Sequence, residues 1–193
     1  MQILKDNINA AILEAATARF MQHGYQGATM RAIAKDVGMS VSNLYRYYAD
    51  KQSLFTALTG PYYRFYFTRL AAFLDEETED IYTPENIRSL ARRIFNDFRQ
   101  YRTPFLLLMR CNDAPVLGDY HARQVEVFTR HLVAGSTPGA GFDPTLVEIL
   151  ARGMIDGIYN VVQRTTDPNL LYERLYHLLR FYFGGLSLFH DIP

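Results

Sequence analysis

The chain has 193 residues, a formal net charge of zero, 49% hydrophobic and 21% charged residues. That supports a sizeable buried core, arranged as one large domain or a small one beside a larger one, and it excludes a polyanion binder that works by bulk charge. A lone cysteine, Cys111, excludes an intramolecular disulfide.

No N-terminal segment joins basic residues, an apolar run and a cleavage site, and the mid-chain run Phe105 to Met109 is far too short to span a bilayer. A cytoplasmic protein with no membrane segment is expected. Charge is unevenly placed. Residues 1–55 carry six Lys/Arg against four acids, and the remainder carries 14 against 16. All three lysines, Lys5, Lys35 and Lys51, lie at the N-terminal end.

Residues 1–7 read as a frayed start. Ile8, Ile12, Ala15, Ala16 and Phe20 trace one helical face, closed by Gly24. Gln26-Gly27 turn the chain into Thr29, whose hydroxyl suits a helix N-cap. Ile33, Ala34 and Val37 form the apolar side of that second helix, and Gly38 ends it. Ser40 is the next cap, opening a helix over Val41 to Tyr48, and Asp50 opens the one that carries Lys51. Helix, short glycine turn and helix is the layout of a helix-turn-helix DNA reader. Leu44 and Tyr48 face inward by spacing. Val41, Ser42, Asn43, Tyr45, Arg46 and Tyr47 are mostly hydrogen-bonding or aromatic groups. Taken alone, they suit base edges and phosphates or an ordinary solvated face about equally.

Beyond Lys51 come Leu54, Phe55 and Leu58, then Gly60-Pro61. There the helix kinks, or it stops and Pro61 opens a new one. Such a bend fits either a hinge for ligand control or a static kink. Tyr62 to Leu74 is helical and aromatic-rich, and Asp75 to Asp80 is an acidic solvated run. Thr83-Pro84-Glu85 starts a helix with the stripe Ile87, Leu90, Ala91, Ile94, Phe95 and Phe98. Arg92, Arg93, Arg99 and Arg102 lie mostly on its outer side. Thr103-Pro104 opens another helix, to about Asn112. Asp119 caps one to about Ala134, with Val125, Phe128 and Leu132 inward. Gly135 to Gly141 is the clearest loop. Asp143-Pro144 opens a helix to about Arg164, and Asp167-Pro168 opens the last, to about Phe189. No segment alternates as a strand would.

Catalytic patterns are missing: there is no HEXXH, CXXC, GXSXG or Walker sequence. No histidine has a second histidine or a carboxylate three or four residues after it, so no metal or other cofactor is expected. Gly153 and Gly157, four apart, would let another helix approach closely. Leu171, Leu175, Leu178, Leu179, Tyr182 and Phe183 supply an apolar face wide enough for core and interface together.

The segment from about Ile8 to Leu58 resembles the N-terminal domain of tetracycline-repressor-type (TetR-family) transcriptional regulators. The resemblance lies in FMQHGYQGATMRAIAKDVGMSVSNLYRYYADKQSLFTAL. It includes the Phe20–Gly24–Tyr25 helix end, the Gly38–Ser40 turn, the Leu44–Tyr48 helix and the Lys51–Leu54–Phe55 start. One departure is Tyr47, where many relatives carry histidine; its hydroxyl still can donate to a phosphate.

The resemblance implies an all-α protein. Residues 1–55 would be a three-helix DNA-binding domain, and residues 56–193 a larger helical domain for ligand binding and dimerisation. It implies base contacts from Arg31, Val41, Ser42, Asn43 and Arg46, and phosphate contacts from Thr29, Tyr45, Tyr47 and Lys51. A small, apolar or aromatic effector would meet Phe67, Phe98, Met109, Tyr120, Met154 and Tyr159, with Arg110 as polar anchor, although each residue taken singly reads first as ordinary core. Asp113 or Asp156 could equally be the partner of Arg110. The implied partners are that effector, a second copy of the chain and a near-palindromic double-stranded operator, and the implied action is a repressor that ligand releases. An all-α enzyme, or an adaptor that keeps the helix-turn-helix for packing, are the readings from other classes.

Overall fold

The computed structural model describes residues 2–75, 83–115, 120–134 and 143–190. The acidic run after Asp75, the Asp119 cap and the Gly135 to Gly141 loop lie outside these. Among the described residues all regular structure is helical: α1 (Gln2–Gly27), α2 (Met30–Val37), α3 (Val41–Tyr47), α4 (Lys51–Asp75), α5 (Pro84–Arg110), α6 (Tyr120–Ala134), α7 (Pro144–Arg164) and α8 (Pro168–His190). None of them is long and apolar enough to cross a membrane.

Local capping chemistry sets most of these boundaries. Thr29 Oγ1 accepts from the Ala32 amide at 3.2 Å, and Ser40 Oγ from the Asn43 amide at 3.1 Å. Gly38 ends α2 with φ 74°. Its amide donates to Lys35 O and the Met39 amide to Ala34 O, which closes the free carbonyls of the last turn. Asp50 and Ser53 cap α4 reciprocally: the Ser53 amide donates to Asp50 Oδ1 and the Asp50 amide to Ser53 Oγ. Asp143 and Asp167 accept amide bonds at the starts of α7 and α8.

Two boundaries differ from the sequence reading, and the one it left open at Pro61 resolves to a continuous helix. α1 begins at Gln2, so the start is helical, and it breaks at Gly24 (φ 69°) before a last half-turn to Gly27. α4 runs through Pro61 without stopping. Pro61 and Ala57, whose carbonyl loses its usual donor, both lie on the exposed side, where water can replace the missing bond. The helix expected from Thr103 joins α5, and the break falls at Tyr101 (φ −119°, ψ 21°), three residues ahead of Pro104.

The chain gathers into two compact units, Met1–Thr68 with Thr103–Tyr120, and Arg69–Arg102 with His121–Pro193. In the first unit Ile12, Ala16, Phe20, Ile33, Ala34, Leu44, Leu54 and Phe55 are completely buried. Phe20, Tyr25 and Phe55 lie ring to ring at 5.1–5.9 Å. In the second unit the core is Ile87, Ala91, Met154, Leu179 and Phe183, with Leu90, Ile94, Phe128, Leu150 and Ile158 against it. A Cβ on Gly153 would stand 2.8 Å from the Tyr182 hydroxyl, and one on Gly157 3.1 Å from the Leu178 methyls. These two glycines therefore let α7 and α8 of one chain approach each other. At the C-terminal end of α7 Arg102 donates to the Thr165 carbonyl at 2.7 Å, while Arg174 donates to its hydroxyl at 2.8 Å.

Candidate nucleic-acid interface and effector-binding residues

The first unit holds α3 in place by one buried residue and a set of polar ties. Leu44 is the only side chain of α3 that is fully inside. Just beyond the helix, the Tyr48 hydroxyl donates to Asn9 Oδ1 of α1 at 2.8 Å. Arg19 of α1 grips Asp36 of α2 with two bonds, at 2.5 and 2.6 Å. This hydrogen bonding holds the Asp36 carboxyl below the usual carboxylate range, against a smaller opposing effect of desolvation.

Carbonyls in the last turns of α1, where the helix breaks at Gly24 and ends at Gly27, take side-chain donors from other elements. Lys51 Nζ donates to Tyr25 O at 2.7 Å and sits 4.3 Å above the Tyr25 ring. Arg110 Nε donates to Met21 O at 3.2 Å, and the Cys111 thiol points at Phe20 O across 3.7 Å. Burial pushes the Cys111 thiol up to about 11, with the Asp113 charge adding to the shift.

With these ties in place, the outward side of α2–α3 presents Thr29, Arg31, Ser42, Tyr45 and Arg46 to solvent, with Val41, Asn43 and Tyr47 half-exposed. Tyr45 is 49% exposed, a large aromatic ring open to the surface. The N-termini of α2 and α4, capped by Thr29 and Asp50, add positive dipole ends. Lys51 is the exception among these residues. Its ammonium is shared with the end of α1, so the residue ties the domain together whatever else it meets.

The seven residues expected around an effector fall into both units. Phe67, Met109, Arg110 and Tyr120 belong to the first, and Phe98, Met154 and Tyr159 to the second. Phe67 and Tyr120 are brought together, with centroids 5.9 Å apart. They share an aromatic group with Tyr62, Tyr63, Tyr66 and Phe105. At its centre the Tyr120 hydroxyl donates to the Tyr62 hydroxyl at 3.3 Å, and burial raises the Tyr120 hydroxyl well above its ordinary value. Met154 and Phe98 are buried in the second unit. Arg110 is exposed and turned to the end of α1.

Sequence reasoning passed over Tyr62 and Tyr66, which read only as members of an aromatic-rich run. It also passed over Gln124, a polar residue standing one position before Val125 on the buried side of α6. The regular stripe Val125, Phe128 and Leu132 would have singled it out.

Residues 12–58 match the family model described as bacterial regulatory proteins, tetR family. Over 47 residues, 24% of this chain and 25% of the other, the chain is 45% identical to the HTH-type transcriptional repressor AcnR of Corynebacterium diphtheriae. The chain thus spans about a quarter of that relative's length. The ketosteroid transcriptional regulator KstR2 of Mycobacterium tuberculosis has the same fold: TM-score 0.63, 19% identity, 92% of this chain and 93% of that one. So does AibR, solved in complex with isovaleryl coenzyme A and operator DNA: TM-score 0.58, 20% identity, 96% of this chain and all of that one.

Proposed function

We propose, from the match of residues 12–58 to the model of the tetR family of bacterial regulatory proteins, that the protein is a transcriptional regulator and not an enzyme: a ligand-responsive reader of specific DNA sequences, acting as a homodimeric repressor in the cytoplasm. The observation that carries the reading is the exposed face of α2–α3. It is held by Leu44, Tyr48–Asn9 and Arg19–Asp36, and it lies inside the segment that matches the family.

In this reading residues 1–55 are the DNA-binding domain and residues 56–193 the effector-binding and dimerisation domain. Arg31, Val41, Ser42, Asn43 and Arg46 meet base edges. Asn43 suits adenine and the arginines suit guanine. Thr29, Tyr45, Tyr47 and the two spare N–H groups of Lys51 meet phosphates. Ile149 and Phe181, 60% and 75% exposed on α7 and α8, give the second unit an apolar surface suited to a second copy. Two-fold symmetry then places two α3 helices on a near-palindromic operator.

A small, largely apolar effector binds the helical body. It lowers DNA affinity to the extent that it prefers a dimer whose reading heads are wrongly spaced. That a structurally similar regulator holds both an acyl-coenzyme A and operator DNA supports the two-ligand scheme. The coupling route through Gly60-Pro61 is a continuous helix, and Pro61→Ala tests it: unchanged DNA affinity and unchanged ligand release remove the proline from the mechanism.

The test of the whole reading is a gel shift with DNA from upstream of the protein's own gene, against unrelated competitor. A sequence-specific complex that survives moderate salt and contains two chains is expected. Absence of any specific complex leaves the adaptor reading in its place.

A further inference from the structure

Gln124 stands on α6, three residues after His121 and four before Phe128, so the three share one face of the helix. Phe128 lies against the apolar core of the second unit. His121 Nε2 and Asp156 Oδ1 of α7 are 2.9 Å apart. These two anchors fix the helix, and Gln124 between them is buried to 4% exposure. Yet its Oε1 has no hydrogen-bond partner. Among the described residues the other buried side-chain oxygen in that state, Thr129 Oγ1, is on the same helix. Buried amide oxygens are almost always paired, because burial strips their water and returns nothing. A leucine or methionine here would leave no polar atom unpaired, whereas the amide oxygen stands open to a partner from outside the chain.

We propose that Gln124 is the polar anchor of an effector site in the second unit, accepting a hydrogen bond from the O–H or N–H of an uncharged, largely apolar molecule. This rests on reading the helical body as the effector-binding one. A neutral amide offers no countercharge, so it gives a carboxylate or an ammonium nothing to offset the cost of leaving water. The cluster that Phe128 packs against, with Met154, Leu179 and Phe183, suits an aliphatic or aromatic body. Discrimination then follows from the acceptor itself. A ligand with a donor completes it, and an isosteric ligand without one leaves it unpaired again.

The test compares 4-propylphenol with its methyl ether, 4-propylanisole, as additives in thermal unfolding of the full chain. The phenol should raise the midpoint, and its apparent affinity should exceed that of the ether by roughly tenfold or more. Gln124→Met keeps the length and removes the amide. Its ligand-free midpoint should rise above wild type, and the preference for phenol should vanish. Equal shifts from both compounds, no shift from either, a lower ligand-free midpoint in the variant, or a preference that survives the substitution each overturn the proposal. Operator binding by the wild-type chain is measured alongside. Its failure would sink the regulator reading without affecting the phenol comparison, and its success would leave the anchor to stand or fall alone.

Discussion

Substituting Lys51 by methionine separates the tie to Tyr25 that the structure shows from the phosphate contact proposed for the same side chain. Methionine keeps most of the aliphatic stem and removes the ammonium. The ammonium donates to the Tyr25 carbonyl at 2.7 Å and lies 4.3 Å from the Tyr25 ring centroid. A hydrogen bond to a charged group contributes about 1.5–3 kcal/mol, and an exposed cation–π contact roughly 0.5–1 kcal/mol. Both belong to a single ammonium, so they overlap, and a loss of about 2–3 kcal/mol is expected. In a chain of this size that lowers the unfolding midpoint by about 4–12 °C. The assay is thermal unfolding followed by circular dichroism, with DNA affinity measured across salt concentrations at a temperature where both proteins are folded. If the remaining N–H groups also meet a phosphate, the slope of log affinity against log salt falls by about 0.9. A midpoint within about a degree of wild type refutes the tie to α1. An unchanged slope with a lowered midpoint removes the phosphate contact and leaves the tie.

The other predictions rest on separate contacts. Asp36→Asn should destabilise the first unit through loss of the Arg19 grip. Because the folded carboxyl is held below its unfolded value, that stability is present above about pH 4 and is lost as pH falls through the folded value. Wild type and variant should therefore converge in acid unfolding series, and a difference that persists there contradicts the assignment. Cys111, 2% exposed and pushed up to about 11, should resist iodoacetamide at neutral pH until the chain is unfolded; rapid labelling of native protein would show the site open. Gly157→Val should cost about 1–3 kcal/mol by forcing the Leu178 methyls away. Gly185→Ala, where an added Cβ meets nothing within 4 Å, should gain up to about 1 kcal/mol. Urea titrations of the pair read both signs.

What sequence made legible is chiefly what local chemistry determines. Thr29, Ser40, Asp50, Asp143 and Asp167 announce helix starts because each cap bonds to an amide two or three residues on. Gly38 announces an end because α2 closes there in a left-handed conformation. The buried spacing of Ile12, Phe20, Ile33 and Leu44 was readable for the same reason. Contacts between residues distant in the chain were not. Nothing around Arg110 points to Met21, 89 positions earlier, and its place after an apolar run suggested a pocket anchor. The tie from Lys51 to the Tyr25 carbonyl, 26 positions earlier, was out of reach of the sequence in the same way. Gly153 and Gly157 signalled close helix approach, and only the fold identifies Tyr182 and Leu178 of the same chain as the neighbours. Pro61 read as a kink or stop; the exposed side on which it falls lets α4 continue.

The most direct test of the central claim is selection of bound duplexes from a pool of randomised DNA by the full chain, followed by sequencing. Specific reading by two symmetry-related α3 helices predicts enrichment of an inverted repeat, with half-site centres about 34–36 Å apart for adjacent major grooves. Arg46→Ala should relax selection at one base pair in each half-site while leaving the spacing unchanged. A pool that shows no enriched sequence after repeated rounds, or an enriched sequence indifferent to every substitution on the exposed face of α2–α3, would contradict the account.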